Sequence, residues 1–598
     1  FTMTSPTSSD PPAVGRLSPV GVAITLLEGA HTIALFVALP TLTLQRLYCG
    51  LDECPLGLDL QSLCATSKAP WVLWWLVAEA AFYLAMKTKL AYLQSFDPQE
   101  AYFKAATIMT IKERQLLWDR VMEADSHDMV GYFESWFFGT RMDDVTLEEF
   151  RDFVCWGFFD NRNQEHLIHE EETKQLDAFV ADALERIRLQ RDKKECTTSK
   201  RRRMLQFATF ATEASESSDD ESVTAFVPWQ ERKTCRKLQL HQRLLKNALE
   251  ESRHTPEAEL AQIMRTITNL HQAAEKSRQD ADDLSTQRSP RYRFGRPTAD
   301  PILGVRVFPL MLHLLVFLTT EVPSRVLFWA LGFRRCKVGS VTYNYHLGRN
   351  PKSNKIPLVF IHGIGVGPIV YFPLILQMMM TSGRPLFVPE VTSVSAFRPW
   401  TLPGDALTPD QVAASLSLML ASHGFAKATF AAHSFGTFWM SYMIKYAPDF
   451  VAGLVFLDPV NFCLKNSLLT RRVVYNQPDP GDIGCMIKTD MMVNWSVQRN
   501  FSWVRGNLFV EDLGDKPCAV FLSGEDKTAP SKLQQAYLER HKHFTANVAD
   551  NVSTKDFEAG NSVVVFPGCD HGLWMLNPLK TMPKVVESME VLTKRIEK

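Results

Sequence analysis

The chain has 598 residues, 46% apolar and 22% charged, and its 65 Lys and Arg nearly balance 66 Asp and Glu, for a formal charge of −1. That composition excludes a fibrous or wholly disordered chain, and the near-neutral balance excludes capture of nucleic acid as a default role, because such capture needs a strongly basic surface. The 11 Cys show no paired CxxC spacing, which excludes a disulfide scaffold and a zinc ribbon. At about 150 residues per domain the length implies roughly four units. The sequence opens on Phe1 rather than Met, so an upstream start is expected.

Residues 1–95 read as a two-span membrane hairpin. The stretch 20–39 (VGVAITLLEGAHTIALFVAL) has the length of a bilayer-crossing helix and is interrupted only by Glu28 and His31; 71–86 (WVLWWLVAEAAFYLAM) follows with one acid, Glu79. A pair of buried core helices is the competing reading, but Trp71, Trp74, Trp75 and Tyr83 have the amphipathic rings that suit an interface. A cleaved signal peptide fits less well, since only Arg16 precedes the first stretch and no small-residue cleavage site stands out. Lys87 and Lys89 follow the second span, whereas the loop between the spans has Lys68 as its base, with Arg46 beside it. Both flanks are therefore expected on the cytosolic side, and with them the rest of the chain, in a membrane whose organelle is open. Cys49, Cys54 and Cys64 of the loop would then face a lumen.

Residues 96–190 read as a small α-helical domain. Trp118, Phe133, Trp136, Phe137, Phe150, Phe153, Trp156 and Phe159 recur at helical spacing, and Thr146-Leu-Glu-Glu149 is a capping box ahead of an apolar run. His166 and His169 lack further ligands nearby and read as an exposed helix face. From 191 to 300 the basic KKECTTSKRRR and the acidic, serine-rich TEASESSDDES imply a largely disordered linker. Within it 230–283 has a thin leucine periodicity, consistent with a solvated helix or short coiled coil that offers protein contacts. Residues 301–335 are apolar again. Arg293 and Arg296 before them and Arg325, Arg334 and Arg335 after them lack the asymmetry of a span, so 302–320 is expected to lie in the membrane interface, with a third span or a docked lid as alternatives.

From 336 to 598 the pattern changes to short strands, VTYNYHL, IPLVFIHG, PLFVPEV, KATFAAHS, AGLVFLDP, CAVFLSG and SVVVFPG, alternating with helical stretches such as 409–423 and 435–446. Continuous apolar strands alternating with helices predict a mainly parallel sheet covered on both faces, with its site at the carboxyl ends of the strands. At the end of one strand stands Ala432-His433-Ser434-Phe435-Gly436, a strand-to-helix turn that lifts Ser434 toward a pocket; a serine capping the next helix is the plainer reading. Upstream, FIHGIGVG ends a strand in a glycine-rich loop, where the Ile364 amide, with that of Phe435, can bind an oxyanion. Downstream, Asp526 in SGED and His571 in DHG each follow a strand, in the chain order Ser, Asp, His.

These motifs resemble the α/β-hydrolase superfamily, in particular its membrane-associated lipase- and esterase-like members, over about 340–598. The resemblance implies an α/β-hydrolase fold with Ser434 as nucleophile, His571 as general base and then acid, and Asp526 as the acid that orients the imidazole. Asp458 in LVFLDPV also follows a strand and is the alternative acid, with Glu525 behind it. His362 and His433 read as structural, and Asp570 as a neighbour of the site. The chain departs from the pattern in Ala432, where Gly is usual, and in Ser523 before the acid. An insertion at about 460–516 reads as a cap, where Met486, Met491, Met492, Trp495, Phe501 and Trp503 either line an acyl pocket or pack the cap's own core. The sequons at Asn494, Asn500 and Asn551 carry no meaning in a cytosolic domain.

The expected function is a membrane-associated serine hydrolase that cleaves carboxylic esters, of lipids or other hydrophobic ester substrates, through an acyl-enzyme, needing no metal and no cofactor. An acyltransferase using the same residues and a non-catalytic membrane scaffold are the alternatives. Epoxide and haloalkane hydrolysis are excluded, because the α/β-hydrolases that perform them carry Asp where Ser434 stands.

Overall fold

The computed structural model describes residues 69–95, 108–124, 128–167, 169–212, 294–298, 300, 302–349, 355–476, 483–499, 503–540 and 544–598. The predicted span at 20–39, the loop cysteines, the acidic linker, the helix at 230–283 and Phe501 lie outside the described residues.

Nine strands form one sheet: β1 (Arg334–Val338), β2 (Val341–His346), β3 (Leu358–Ile361), β4 (Leu386–Pro389), β5 (Ala428–His433), β6 (Val451–Leu457), β7 (Cys518–Ser523), β8 (Thr545–Val548) and β9 (Asn561–Phe566), in the order 1-2-4-3-5-6-7-9-8. β2 pairs antiparallel with both β1 and β4 and so alone runs against the other strands; every other pairing is parallel. All seven predicted strands form. β3 to β7 are buried along their whole length, as continuous apolar runs in a doubly covered sheet must be. The two unpredicted strands are at the edges: RRCKV of β1 and TANV of β8 are half exposed and have no apolar run to announce them.

Helices cover this sheet. α7 (Phe372–Ser382) and α13 (Met582–Glu597) share a core in which Leu374, Ile375 and Met378 meet Val585, Val586, Met589 and Leu592 over the strands. α8 (Pro409–Ser422) packs on α9 (Gly436–Tyr446), the helix that follows β5. Between β6 and β7, over the expected insertion, lie short helices, including α10 (Ile483–Thr489) and α11 (Met491–Arg499), and α12 (Ser531–Glu539) follows β7.

The N-terminal helices are α1 (Ala69–Ser95), α2 (Ile111–Ala124), α3 (Met129–Trp136), α4 (Leu147–Phe158) and α5 (Glu170–Thr212). The Thr146–Glu149 capping box forms at the start of α4. Against the expectation of a separate helical domain, residues up to Arg186 belong to the same compact unit as 294–598. Trp503 of the cap sits among Trp136 and Phe158, Arg505 pairs with buried Asp160 at 2.8 Å, and Trp136 Nε1 donates to the Lys465 carbonyl. The aromatic face is therefore built to receive the cap. α5 also overruns its expected end, since KKECTTSKRRR is helical in a second compact unit, 187–293.

The apolar region differs from expectation at its start. Residues 302–308 are irregular, with a bend at Gly304 and an isolated backbone bridge from Arg306 to Asp490, and the helix α6 runs Leu310–Ala330. Its turn Phe317–Glu321 is widened to a π-turn just ahead of Pro323, which has no N–H to give the preceding carbonyl. Glu79, the acid of the second predicted span, is buried and accepts the Leu310 and Met311 amides at 2.8 and 2.9 Å, capping α6. Lys89, expected as a membrane-flanking charge, instead donates to the carbonyls of Pro399 and Thr401.

Candidate active site

β5 delivers Ser434 to the carboxyl edge of the sheet, and α9 begins two residues later. Ser434 has φ +51°, a left-handed conformation that a side chain-bearing residue adopts only when its surroundings impose it. The turn is held by the Ser434 amide on the Leu457 carbonyl at 3.0 Å and by Thr437 Oγ1 on the Ser434 carbonyl at 2.6 Å. Glycine is required at two neighbours: a Cβ at Gly436 would stand 2.5 Å from the Ile361 carbonyl, and one at Gly363 would stand 2.9 Å from Ser434 Cβ. Ala432, by contrast, is accommodated in the core, so the departure at this position has no structural cost.

The loop after β9 brings His571 over this turn. Its Nε2 lies 2.8 Å from Ser434 Oγ and its Nδ1 2.7 Å from Asp526 Oδ2 in the loop after β7. Asp526 is fixed in turn by the Thr528 and Ala529 amides, both 2.7 Å from Oδ1. Burial opposes the imidazolium of His571, but the hydrogen bond and charge of Asp526, with the charges of Asp458 and Asp570, outweigh it and hold the imidazole above its ordinary pKa. In the loop after β3, Gly363 donates to Tyr371 Oη and Gly365 to the Val394 carbonyl, while among the described residues the Ile364 and Phe435 amides meet no acceptor.

Residues 358–582 match the model of the Alpha/beta hydrolase family. This part of the chain is an alpha/beta hydrolase domain. No curated protein matches the chain. Among solved structures, it is similar to a predicted CIB-like hydrolase from Thermoplasma acidophilum, with 14% identity, 42% of this chain and 95% of the other covered, and a TM-score of 0.26. An esterase from Thermogutta terrifontis matches with 14% identity, 42% and 96% coverage and a TM-score of 0.29. A membrane phospholipase A, described as a bacterial virulence factor, matches with 12% identity, 47% and 96% coverage and a TM-score of 0.31.

Within the hydrolase domain the other candidate residues take different places. Asp458 does not meet Nδ1 of His571. Instead both its oxygens accept from neighbouring loops, and its nearest imidazole contact is His433 Nε2 at 3.7 Å. Glu525 is exposed, and its amide donates to the Cys569 carbonyl. Asp570 Oδ1 accepts the Lys527 and His571 amides at 2.8 Å each, tying the acid loop to the base loop. His362 is fully buried with Nδ1 toward the Gly363 carbonyl and Nε2 accepting the Val391 amide; burial lowers its pKa to about 4, so it is a neutral strut. Asp458, Asp526 and His571 could in principle surround an ion, their donor atoms lying within 4.8 Å of one another, but the carboxylate oxygens are already taken by N–H donors.

The cap aromatics serve packing. Trp495 Nε1 donates to the Leu93 carbonyl, and Met491, Met492 and Trp495 form a cluster with Leu93. Trp503 belongs to the aromatic face of α3 and α4. Asn494 of the first sequon donates to the Leu303 and Lys488 carbonyls. Sequence reasoning did not single out Tyr371, whose hydroxyl accepts the Gly363 amide and donates to His433 Nδ1 at 2.8 Å. The adjacency of FIHG to an aromatic eight residues on was the available signal.

Proposed function

We propose that the alpha/beta hydrolase domain is a serine hydrolase of carboxylic esters and that its substrates are lipid esters presented at a membrane. The observation that carries the catalytic reading is the chain of Ser434 Oγ, His571 Nε2, His571 Nδ1 and Asp526 Oδ2 at 2.8 and 2.7 Å, beside two amides that meet no acceptor among the described residues. Neutral His571 takes the Ser434 proton as Oγ attacks the ester carbonyl, and Asp526 holds the Nδ1–H tautomer and stabilises the imidazolium that results. The amides of Ile364 and Phe435 receive the oxyanion. His571 then protonates the leaving alcohol, and a water deprotonated by the same imidazole releases the acid from the acyl-enzyme.

The membrane part of the reading rests on α6, which is long and apolar enough to cross a bilayer. Only 17% of its most apolar stretch is buried, and Met311, Leu315, Leu318, Val326 and Trp329 are exposed along it. Reaction with a fluorophosphonate tests the serine: the full chain is expected to label at Ser434 and the Ser434→Ala chain not to label. Labelling that survives the substitution would remove the nucleophile from this proposal.

A further inference from the structure

Behind Ser434 and His571 lies a carboxylate that the reaction above does not use. Asp458 is the first residue after β6, is 1% exposed, and has φ +41°, again left-handed and non-glycine. Its Oδ1 accepts the Ser523 amide at 2.7 Å. Its Oδ2 accepts Ser523 Oγ at 2.9 Å, the Gly572 amide at 2.8 Å and Trp574 Nε1 at 3.0 Å. Ser523 ends β7 and opens the loop that carries Asp526; Gly572 and Trp574 follow His571 in the turn and the short helix after β9. A single buried charge thus joins the two loops whose relative placement sets the distance from His571 Nδ1 to Asp526.

We propose that Asp458 is a positioning residue, which holds the acid loop and the base loop of the site in register through these four hydrogen bonds. The inference rests on the serine-hydrolase reading and adds a residue to it. A buried carboxylate with four N–H and O–H donors and a strained backbone is more than fold stability requires at a strand end, since a backbone carbonyl or a water would satisfy one loop at a time. Its near neighbour His433 is oriented by the Tyr371 hydroxyl on Nδ1, and His433 Nε2, which meets no hydrogen-bond partner among the described residues, lies 3.7 Å from Asp458 Oδ2. Asp458 is thus the acceptor side of a buried frame in which Ser523, Gly572 and Trp574 supply the donors.

The test is steady-state hydrolysis of a water-soluble nitrophenyl ester by the full chain, with active sites titrated by fluorophosphonate so that rates are per folded site. Asp458→Asn is expected to lower kcat by about tenfold to a hundredfold with KM unchanged, as a small misplacement of reacting groups does. The groups facing His571 are Asp526, Asp458, Asp570 and the ring of His433. Loss of one of the three negative charges should therefore also move the acid limb of kcat/KM to lower pH. In an Asp526→Asn background, Asp458→Asn should lose most of its effect, because the pair it aligns is already broken. Trp574→Phe and Ser523→Ala each remove one side-chain donor and keep the charge, and are expected to lower kcat severalfold. They decide the matter if Asp458→Asn does not fold. Unchanged kcat per titrated site in Asp458→Asn, or in both donor variants, would overturn the assignment, as would a loss that multiplies fully with that of Asp526→Asn. A wild-type chain that never labels at Ser434 would instead sink the serine-hydrolase reading itself.

Discussion

The strand-end loops and the outer helix α6 both turn polar side chains inward, and the comparison separates a site from a fastening. At the strand ends Ser434 Oγ and His571 Nε2 share one hydrogen bond that a reaction can break, while Asp526 holds the other side of the imidazole. On α6 the inward groups are locked. Glu321 pairs with Arg398 at 2.6 Å and with Arg325, Arg398 reaches Glu390, Glu390 binds Arg335 through both oxygens, and His313 Nδ1 meets the Phe397 carbonyl. The outward sides differ as well. α13 exposes charge and buries Val585, Met589 and Leu592, whereas α6 buries Glu321 and exposes Leu315, Leu318 and Trp329. Inward charge within an apolar stretch therefore identifies neither a core helix nor a catalytic one; the partners decide.

The largest effect should come from the strand ends. Ser434→Ala and His571→Ala are each expected to cost on the order of 10⁴-fold or more in turnover, because the members act as a unit, with melting temperature little changed. A serine variant that keeps substantial turnover would place the chemistry elsewhere. Next comes the acid. Asp526→Asn should cost about 10³ to 10⁴ in kcat, more than Asp458→Asn, and a reversed ranking would move the acid to the end of β6. The sign of the pH effect follows from His571. Activity requires the neutral imidazole, whose pKa is held above its ordinary value, so kcat/KM should rise through a midpoint above that of a free imidazole and Asp526→Asn should shift that midpoint down. An acid limb that ignores Asp526 would mean that another group titrates.

The fastening should fail in a different currency. Arg398→Ala leaves Glu321 and Glu390 buried without their shared partner, and removal of one member of a buried ion pair costs about 3–5 kcal/mol. Arg398 also borders the loop that carries the Ile364 amide, since two residues away the Ala396 amide donates to the Gly365 carbonyl. Denaturant unfolding measures the cost. A shift under about 1 kcal/mol would mean that the network is open to water.

What was legible in the sequence follows the same division. The parallel strands from β3 to β7, with β9, announce themselves because a doubly covered strand must be apolar throughout, and Ser434, Asp526 and His571 because each stands in the loop after one. Edge strands β1 and β8 carry no such constraint. The frame around Asp458 was not legible, because the local pattern LVFLDP fits an orienting acid as well as a strut, and only the donors from Ser523, Gly572 and Trp574, 65 to 116 residues away, distinguish the two. For the same reason Glu79 and Lys89 read as an interruption and a flank of a span, when their partners are on α6 and at 399–401. The aromatics of 118–159 were assigned to a domain of their own because periodicity shows that a face is buried, not what buries it.

The smallest expected effect on stability tests the outward side of α6. Leu318 and Trp329 are 61% and 77% exposed, and changes at such positions usually move stability by about 0.5 kcal/mol or less. Leu318→Glu with Trp329→Glu should therefore leave the melting temperature and the kcat for a soluble ester unchanged. If this face lies in a lipid surface, each side chain contributes about 1.5–3 kcal/mol when taken from water, so the pair should weaken binding to phosphatidylcholine vesicles by more than a hundredfold. The measurement uses a chain beginning at Ala69, so that residues 20–39 cannot carry the binding. A melting temperature that falls by many degrees would mean that protein covers the face, and vesicle binding that survives both charges would mean that lipid does not.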